Sequence, residues 1–452
     1  MPLAKFCRQI VVGGCFLVGA TVALAETSAL EPAPWSQFRG PAGDGVADAG
    51  FDLTLVGNSD RLAWRTEIPG VGWSSPVTDG GRIFLTSSIA TKASAEQKRR
   101  ALAGKQFASI KDVAGSVELL AFCLDTESGE IVWQRSLATI DSPSPIHPMN
   151  SYASPTPVVA DDRVIFHFGG YGTWAVHTGD GETIWQQRLV VDDSVGPGSS
   201  PARYRDQLII PCDGIDRQFV ASLSIETGEV VWQTPRPPMR SNNGEFQKAY
   251  STPTLINVDS RPQAIVPAAQ WLVAYDPANG EEIWRADCDD GFSNATMAIP
   301  VGDVVVFSTG FSTPELVAVD PRGRGDVTAS HIRWRQSRGA PSKPSLATDG
   351  RGLYTITDNG ILHAIDPATG QLRWRQRLGG TYSASPLVAG ETAMIADHDG
   401  KVTVFGLGDQ YRGISSVEMG EQIMASPLPI DGDIVLRTRA ALYRYRTSPS
   451  SP

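Results

Sequence analysis

Short apolar runs alternate with turn-forming residues along almost the whole chain, and long runs at helical spacing are scarce. The stretch from Ser345 to Trp374 shows the pattern: SLAT, GLYTIT, ILHAID and QLRWRQ are strand-like, with DGRG, DNG and PATG between them. Runs of this length bounded by Gly, Asp, Asn and Pro predict four strands joined by tight turns. One segment breaks the rhythm. Residues 90–115 carry Leu102, Phe107 and Ile110 at roughly helical spacing, together with Lys92, Lys98, Arg99, Arg100, Lys105 and Lys111. This predicts a basic helix or lid inserted between two strands of the first unit.

The four-strand unit recurs. DTESGEIVW ends at Trp133, HTGDGETIW at Trp185, SIETGEVVW at Trp232, DPANGEEIW at Trp284 and DPATGQLRW at Trp374, and in each a Gly stands four residues before the Trp. A hairpin turn of this length needs one residue at positive φ, which Gly supplies at least cost. A sixth copy runs from Asp320 to Trp334 with an insertion holding Gly323, Arg324 and Gly325, and in a seventh Ile414 takes the Trp place. Successive spacings of 52, 47, 52, 50, 40 and 40 residues suit one four-stranded propeller blade. Beyond Ile414 only three strands remain, MASPLPI, DIVLRTR and ALYRYR, while LAWRTEI (Leu62–Ile68), with Trp64, has no blade before it. The expectation is therefore an all-β, eight-bladed propeller over residues 62–447, closed by the N-terminal strand joining the C-terminal blade, which leaves no exposed sheet edge. The tryptophans Trp64, Trp133, Trp185, Trp232, Trp284, Trp334 and Trp374 are expected on outermost strands as structural staples between blades.

Composition and charge narrow the class. The chain has 45 Gly and 32 Pro in 452 residues, with 41% hydrophobic residues and 19% charged; this excludes a helical bundle and wholesale disorder. The formal charge is -10, so a nucleic-acid partner is not expected. Lys5 and Arg8 precede an uncharged stretch from Ile10 to Ala25 that ends Ala-Leu-Ala. It reads as a signal peptide over residues 1–25, cut before Glu26, which places the protein in the periplasm or outside the cell; lipid attachment at Cys15 is a second reading. Residues 26–61 read as an extended segment and 448–452 as a disordered tail. Without the leader the charge is -12 and three widely spaced cysteines remain, Cys123, Cys212 and Cys288. They do not look like a disulfide framework. The mature chain holds no transmembrane segment, and a sealed propeller needs no second copy to fold, so a monomer is expected.

The repeats of A-x-D-x-x-[ST]-G-x-x-x-W type resemble those of the pyrroloquinoline-quinone (PQQ) repeat propellers, the superfamily of quinoprotein alcohol dehydrogenases and BamB-type proteins of outer-membrane assembly. WSQFRGPAGDGVA (Trp35–Ala47), HPMNSYASPTPV (His147–Val158), FGGYG, GPGSSP and PCDGIDRQF resemble secreted PQQ-repeat proteins of planctomycete-type bacteria. The resemblance implies the fold; it carries no activity over. Three features stand against a dehydrogenase. No Cys-Cys pair matches the vicinal disulfide of that family, most units are close to the minimal repeat, and no Glu, Asn and Asp set can be matched to its calcium ligands.

In such a fold the loops from strand d to the next strand a and those from b to c emerge on one face. The segments that depart most from the bare repeat lie there, and His147, Asn150, Tyr152, Asp213, Asp216, Gln218, Asn242, Asn243 and Gln247 form a candidate ligand-binding set. The competing reading is loop capping, since Asp and Asn bond their own turns. Asp213 and Asp216 are weak candidates for Ca²⁺, which takes six to eight oxygens, and Asp287, Asp289 and Asp290 read as a solvated cluster. No nucleophile elbow, phosphate loop or zinc-protease motif is present. The expected function is an exported, non-catalytic scaffold that binds a protein or extracellular ligand through its loop face. A PQQ- and calcium-dependent dehydrogenase and a BamB-like assembly role are the alternatives. No cofactor is assigned, PQQ and Ca²⁺ remaining open.

Overall fold

The Gly of each repeat does more than turn the chain. In the computed structural model, which describes residues 34–447, Gly129, Gly181, Gly228, Gly280 and Gly370 have φ between +72° and +75° and each lies flat against the tryptophan of the preceding blade. A Cβ on Gly228 would stand 2.5 Å from the Trp185 ring, and one on Gly129 2.4 Å from Trp64. The indole N–H then bonds a carbonyl of the next blade: Trp64 to Thr126 at 3.0 Å, Trp133 to Thr178 at 2.9 Å, Trp185 to Ile225 at 2.9 Å, Trp232 to Pro277 at 3.2 Å, Trp334 to Pro367 and Trp374 to Gly408 at 2.8 Å. Trp284 differs. It is fully buried and bonds Gln263 of its own blade at 2.9 Å, because Gly325–Asp326 of the insertion lies along its strand as a fifth, parallel strand.

Eight antiparallel sheets follow one another around the ring. Blade 1 comprises Val77–Thr78, Arg82–Lys92, Ala114–Asp125 and Ile131–Asp141, and blade 7 comprises Leu387–Ala389, Thr392–Ala396, Lys401–Gly406 and Arg412–Glu418. Blade 8 takes Leu428–Ile430, Asp433–Arg437 and Ala441–Tyr445 from the C-terminal end and Leu62–Glu67 from the other. The chain thus closes by strand exchange. Arg437 locks the same joint, donating to the Ser74 carbonyl and hydroxyl at 2.7 and 2.6 Å and to the Thr86 carbonyl at 2.8 Å. Burial without a carboxylate partner lowers its pKa to about 9. The faces between blades are apolar, built from the inward-alternating Val, Ile, Leu and Phe of the central strands.

A ring of hydroxyls joins the innermost strands where each begins. Backbone N–H groups donate blade to blade: Ser75 to the Thr156 hydroxyl and Thr156 to Ser200 at 2.9 Å, then Ser200 to Thr252 at 3.0 Å. Met297 donates to Ser345, Ser345 to Ser385, Ser385 to Ser426, and Ser426 to Ser75, all at 3.0 Å. The link from Thr252 to blade 5 is absent, since Met297 has no hydroxyl to accept it. All seven hydroxyl residues are buried.

Residues 35–47 cross the middle of the ring. The carbonyls of Trp35 and Ser36 accept from Thr78 and Val159 on the innermost strands of blades 1 and 2, and the Gln37 side chain accepts from Arg203 of blade 3. Arg39 reaches the Leu346 carbonyl of blade 6 at 2.7 Å, Gly43 sits beside the Met297 methyl of blade 5, and Val46–Ala47 pairs in parallel with Val388–Ala389 of blade 7. Blades 1 and 5, and 2 and 6, are opposite each other in a ring of eight, so a segment touching all four must span the central channel. This segment is no loose leader to the ring. The proposed signal peptide, Cys15, the cut before Glu26 and the tail 448–452 fall outside the described residues.

Candidate functional site

Loops from three blade junctions and two blades lock together over blades 2 and 3. The His147 amide donates to the Val195 carbonyl at 3.0 Å, and Asn150 Nδ2 donates to the carbonyls of Val195 and Pro197 at 2.9 and 3.2 Å. The Ile215 amide reaches the Asp192 carbonyl at 2.9 Å and the Ala249 amide that of Asp213 at 3.2 Å. The structure thus brings most of the nominated set to one face and uses their polar atoms to build it. Tyr152 is buried, its O–H donating to the Ser144 carbonyl at 3.0 Å. Asp216 accepts from the Asp192 amide at 2.8 Å, Gln218 donates to the Gly214 carbonyl at 2.7 Å and Gln247 to that of Ser241 at 2.6 Å. Asn243 accepts from the Glu245 amide and donates to Gln106, both at 3.1 Å, while Asn242 is exposed. His147 Nδ1 accepts from Met149 at 3.2 Å; burial and then the Lys343 charge hold the imidazole below its usual pKa.

Asp213 is already spoken for. Its two oxygens accept from Arg236 at 2.9 and 2.6 Å, with both side chains almost fully buried. A bidentate guanidinium occupies the lone pairs a cation would need, so Asp213 is unsuited to the calcium role. Among the described residues no three His, Cys, Asp or Glu side chains come together as a metal site. The acidic cluster is paired as well: Arg240 holds Asp287 and Asp290 at 2.6 and 3.4 Å, and Arg335 holds Asp289 at 3.0 Å.

The basic insertion docks onto this face. A helix, α1 (Ala95–Leu102), opens with a capping box between Ser94 and Gln97. It stops at Leu102, short of the expected spacing, because Gly104 and Phe107 turn to positive φ. Phe107 and Ile110 are consequently exposed rather than on a helix face. The far end is pinned by a buried charge cluster that spacing alone did not reveal. Lys111 Nζ lies 3.0 Å from Ser194 Oγ and 3.4 Å from Glu245, Ser194 donates to Glu245 at 3.0 Å, and Lys248 pairs with the same carboxylate. Burial opposes the Glu245 charge, but Lys248, Ser194 and Lys111 outweigh it and hold the carboxyl below its usual range. Lys105 adds an ion pair to Asp192 at 2.8 Å.

Beside the cluster lies a small recess of about 10 Å³, room for a single water, lined by His167, Asp193, Ser199, Cys212, Asp213 and Tyr250. Gly169 lets the backbone close on Asp193 and Gly170 on the Val191 carbonyl, and the Asp193 carboxylate accepts the Gly170 N–H at 3.0 Å. Burial, then the nearby Asp192 and Asp216, raise its pKa to about 7, and burial lowers that of His167 to about 4. Cys123, Cys212 and Cys288 are buried thiols without disulfides.

A family profile described as outer membrane protein assembly factor BamB matches residues 57–263 and 268–410. The chain belongs to this BamB-type PQQ-repeat family. Among curated relatives of the family member, the BamB of Alkalilimnicola ehrlichii is 29% identical over 171 residues, 36% of this chain and 43% of that protein. The chain thus matches under half the length of that relative. The tetrathionate hydrolase of Acidithiobacillus ferrooxidans is 22% identical over 394 residues, 83% of this chain and 74% of the other. Among solved structures, the quinohemoprotein alcohol dehydrogenase of Comamonas testosteroni superposes with a TM-score of 0.63 at 11% identity, covering 93% of this chain and 82% of the other. At that identity the likeness is one of fold. No helix among the described residues is long and apolar enough to cross a membrane.

Proposed function

We propose that this BamB-type propeller is an exported, non-catalytic scaffold that binds a protein partner through its loop face. The observation that carries the reading is an aromatic row beside the basic insertion, half-buried at Phe246 and Phe292 and exposed at Phe311. Phe246, Phe292 and Phe311 stack edge to face at 4.9 and 6.1 Å, and Phe311 is 66% exposed. The row adjoins the insertion through the Asn243–Gln106 bond, and the insertion adds exposed Phe107, Ile110, Lys98, Arg99 and Arg100. Aromatic and arginine side chains on a rigid base are what protein interfaces concentrate, and the basic flank favours an acidic partner. The polar groups beneath are spent on one another, which leaves the face stiff.

A role in outer-membrane protein assembly, as in the protein that names the family, is the second reading; the family match favours it. Export rests on the leader read in residues 1–25, and the intact mass of the cellular protein tests it: a mature chain starting at Glu26 is expected. Binding is tested with a photo-cross-linking residue at Phe311 and, as control, at Gly80 on the opposite face, in cells. Discrete adducts from position 311 alone support the reading. None from 311, or the same set from both, overturns it, as does a saturable rise in Tm that needs PQQ and Ca²⁺ together.

A further inference from the structure

We propose that the joint between blades 7 and 8 binds a small aromatic amine, its ring lying where the other joints hold an indole. Ile414 stands in the tryptophan place of blade 7 and is only half-buried. Beside it opens a cavity of about 350 Å³, floored by Phe51, Leu53, Ala389, Val404 and Ile414, with Thr54, Asp52 and Glu391 around them. Sites for small organic molecules are of this size and make-up, an apolar floor with a few polar groups.

The other joints show what such a space accepts. In five of them the carbonyl that takes the indole N–H stands three residues before the glycine packed on the ring, as Thr126 does before Gly129 and Pro367 before Gly370. In this joint the segment ahead of the closing strand supplies the turn. Gly57, at φ +82°, packs on Val417 of the strand that carries Ile414. Three residues before it, Thr54 lines the cavity, and its carbonyl accepts no bond from the described residues. The joint thus keeps the floor and the acceptor, while its own chain supplies no ring.

The surrounding charges select a cation. Asp52 spends Oδ1 on Thr54, at 2.9 Å to the amide and 2.7 Å to the hydroxyl, and its Oδ2 has no partner among the described residues. The Glu391 side chain is exposed and makes no ion pair among them. No basic residue lines the cavity, and Arg412 lies outside it on Gly406. Two free carboxylates beside an apolar floor complement a positive charge carried on a ring. Ala389 and Glu391 flank the turn between the first two strands of blade 7, on the face opposite the partner-binding loops, so the two sites are tested separately.

The test is thermal unfolding of the full chain titrated with tryptamine, with indole-3-acetate and hexylamine as controls for charge and ring. A saturable rise in Tm with tryptamine is expected, and binding of either control should be weaker by about tenfold. Glu391→Gln, at an exposed position, should weaken tryptamine severalfold, and Ile414→Trp should fill the space and abolish binding. No saturable shift with tryptamine overturns the proposal. So does binding that Glu391→Gln leaves unchanged, indole-3-acetate binding as tightly as tryptamine, or undiminished binding to a folded Ile414→Trp protein.

Discussion

The Ser426 amide donates to the Ser75 hydroxyl across 3.0 Å, so the last blade is fastened to the first at the innermost strand. At the outermost strand Leu62–Glu67 fastens them again. Removing residues 1–68 deletes the closing strand and the segment that crosses the channel, and exposes the edge of Ala441–Tyr445. The Tm should fall by about 10 °C or more, or the chain should aggregate through the bared edge. A truncated protein that melts like the intact one contradicts this closure.

Gly228 is a sharper probe of the blade joints. Gly228→Ala meets both a φ of +73° and the Trp185 ring at 2.5 Å, whereas Gly80→Ala meets a φ of +103° in open space. The first should cost about 2–4 kcal/mol and the second about 1 kcal/mol in denaturant unfolding. Equal losses would mean that the turn, rather than the stacking on tryptophan, sets the need for glycine.

The cluster around Glu245 binds the insertion to the loop face. Glu245→Gln leaves Lys111 and Lys248 buried without a counter-charge, and removal of one partner from a buried pair costs about 3–5 kcal/mol. The Lys98–Arg100 stretch should also become the first site of tryptic cleavage. Unchanged stability with a protected insertion would show that the cluster does not hold it.

Asp193 links stability to pH. Its pKa is raised to about 7 in the folded protein from an ordinary carboxylate value near 4, so the folded state binds the proton more tightly. That contribution is complete below pH about 4 and is lost as pH rises through about 7, at on the order of 1.4 kcal/mol per unit at most. Asp193→Asn should flatten the fall in stability over this window and leave a protein more stable than the parent above pH 7. Parallel pH profiles for the two proteins would refute the assignment.

The ring and its closure are legible in the sequence because Gly228 and Trp232 lie four residues apart and each repeats around the chain; a local signal copied many times is hard to miss. That the glycine is also required by the tryptophan of the blade before, as with Trp185, is visible only once the blades meet. The hydroxyl ring is written in the sequence too, as Ser75-Pro76, Thr156-Pro157, Ser200-Pro201, Thr252-Pro253, Ser385-Pro386 and Ser426-Pro427, one at the head of each of six blades. Lys111 and Glu245 lie 134 residues apart, and no periodicity joins them. The departures from the repeat point to the loops that meet on one face, but Asp213 could be read as a ligand only so long as Arg236, 23 residues on, was not seen to occupy it.

The segment Trp35–Ala47 has a consequence for how the chain assembles. It is made before any blade, yet its partners are spread from Thr78 to Ala389, and the strand that follows it waits for Ala441–Tyr445. The earliest part of the described chain therefore finds its place last. Blades can form one by one as they are synthesised, but threading of the axis and joining of the ends must come after nearly the whole polypeptide exists, with long-range closures that slow such topologies. Until then the growing arc bares an apolar sheet face at each end, and a holding partner would have its greatest effect in that interval.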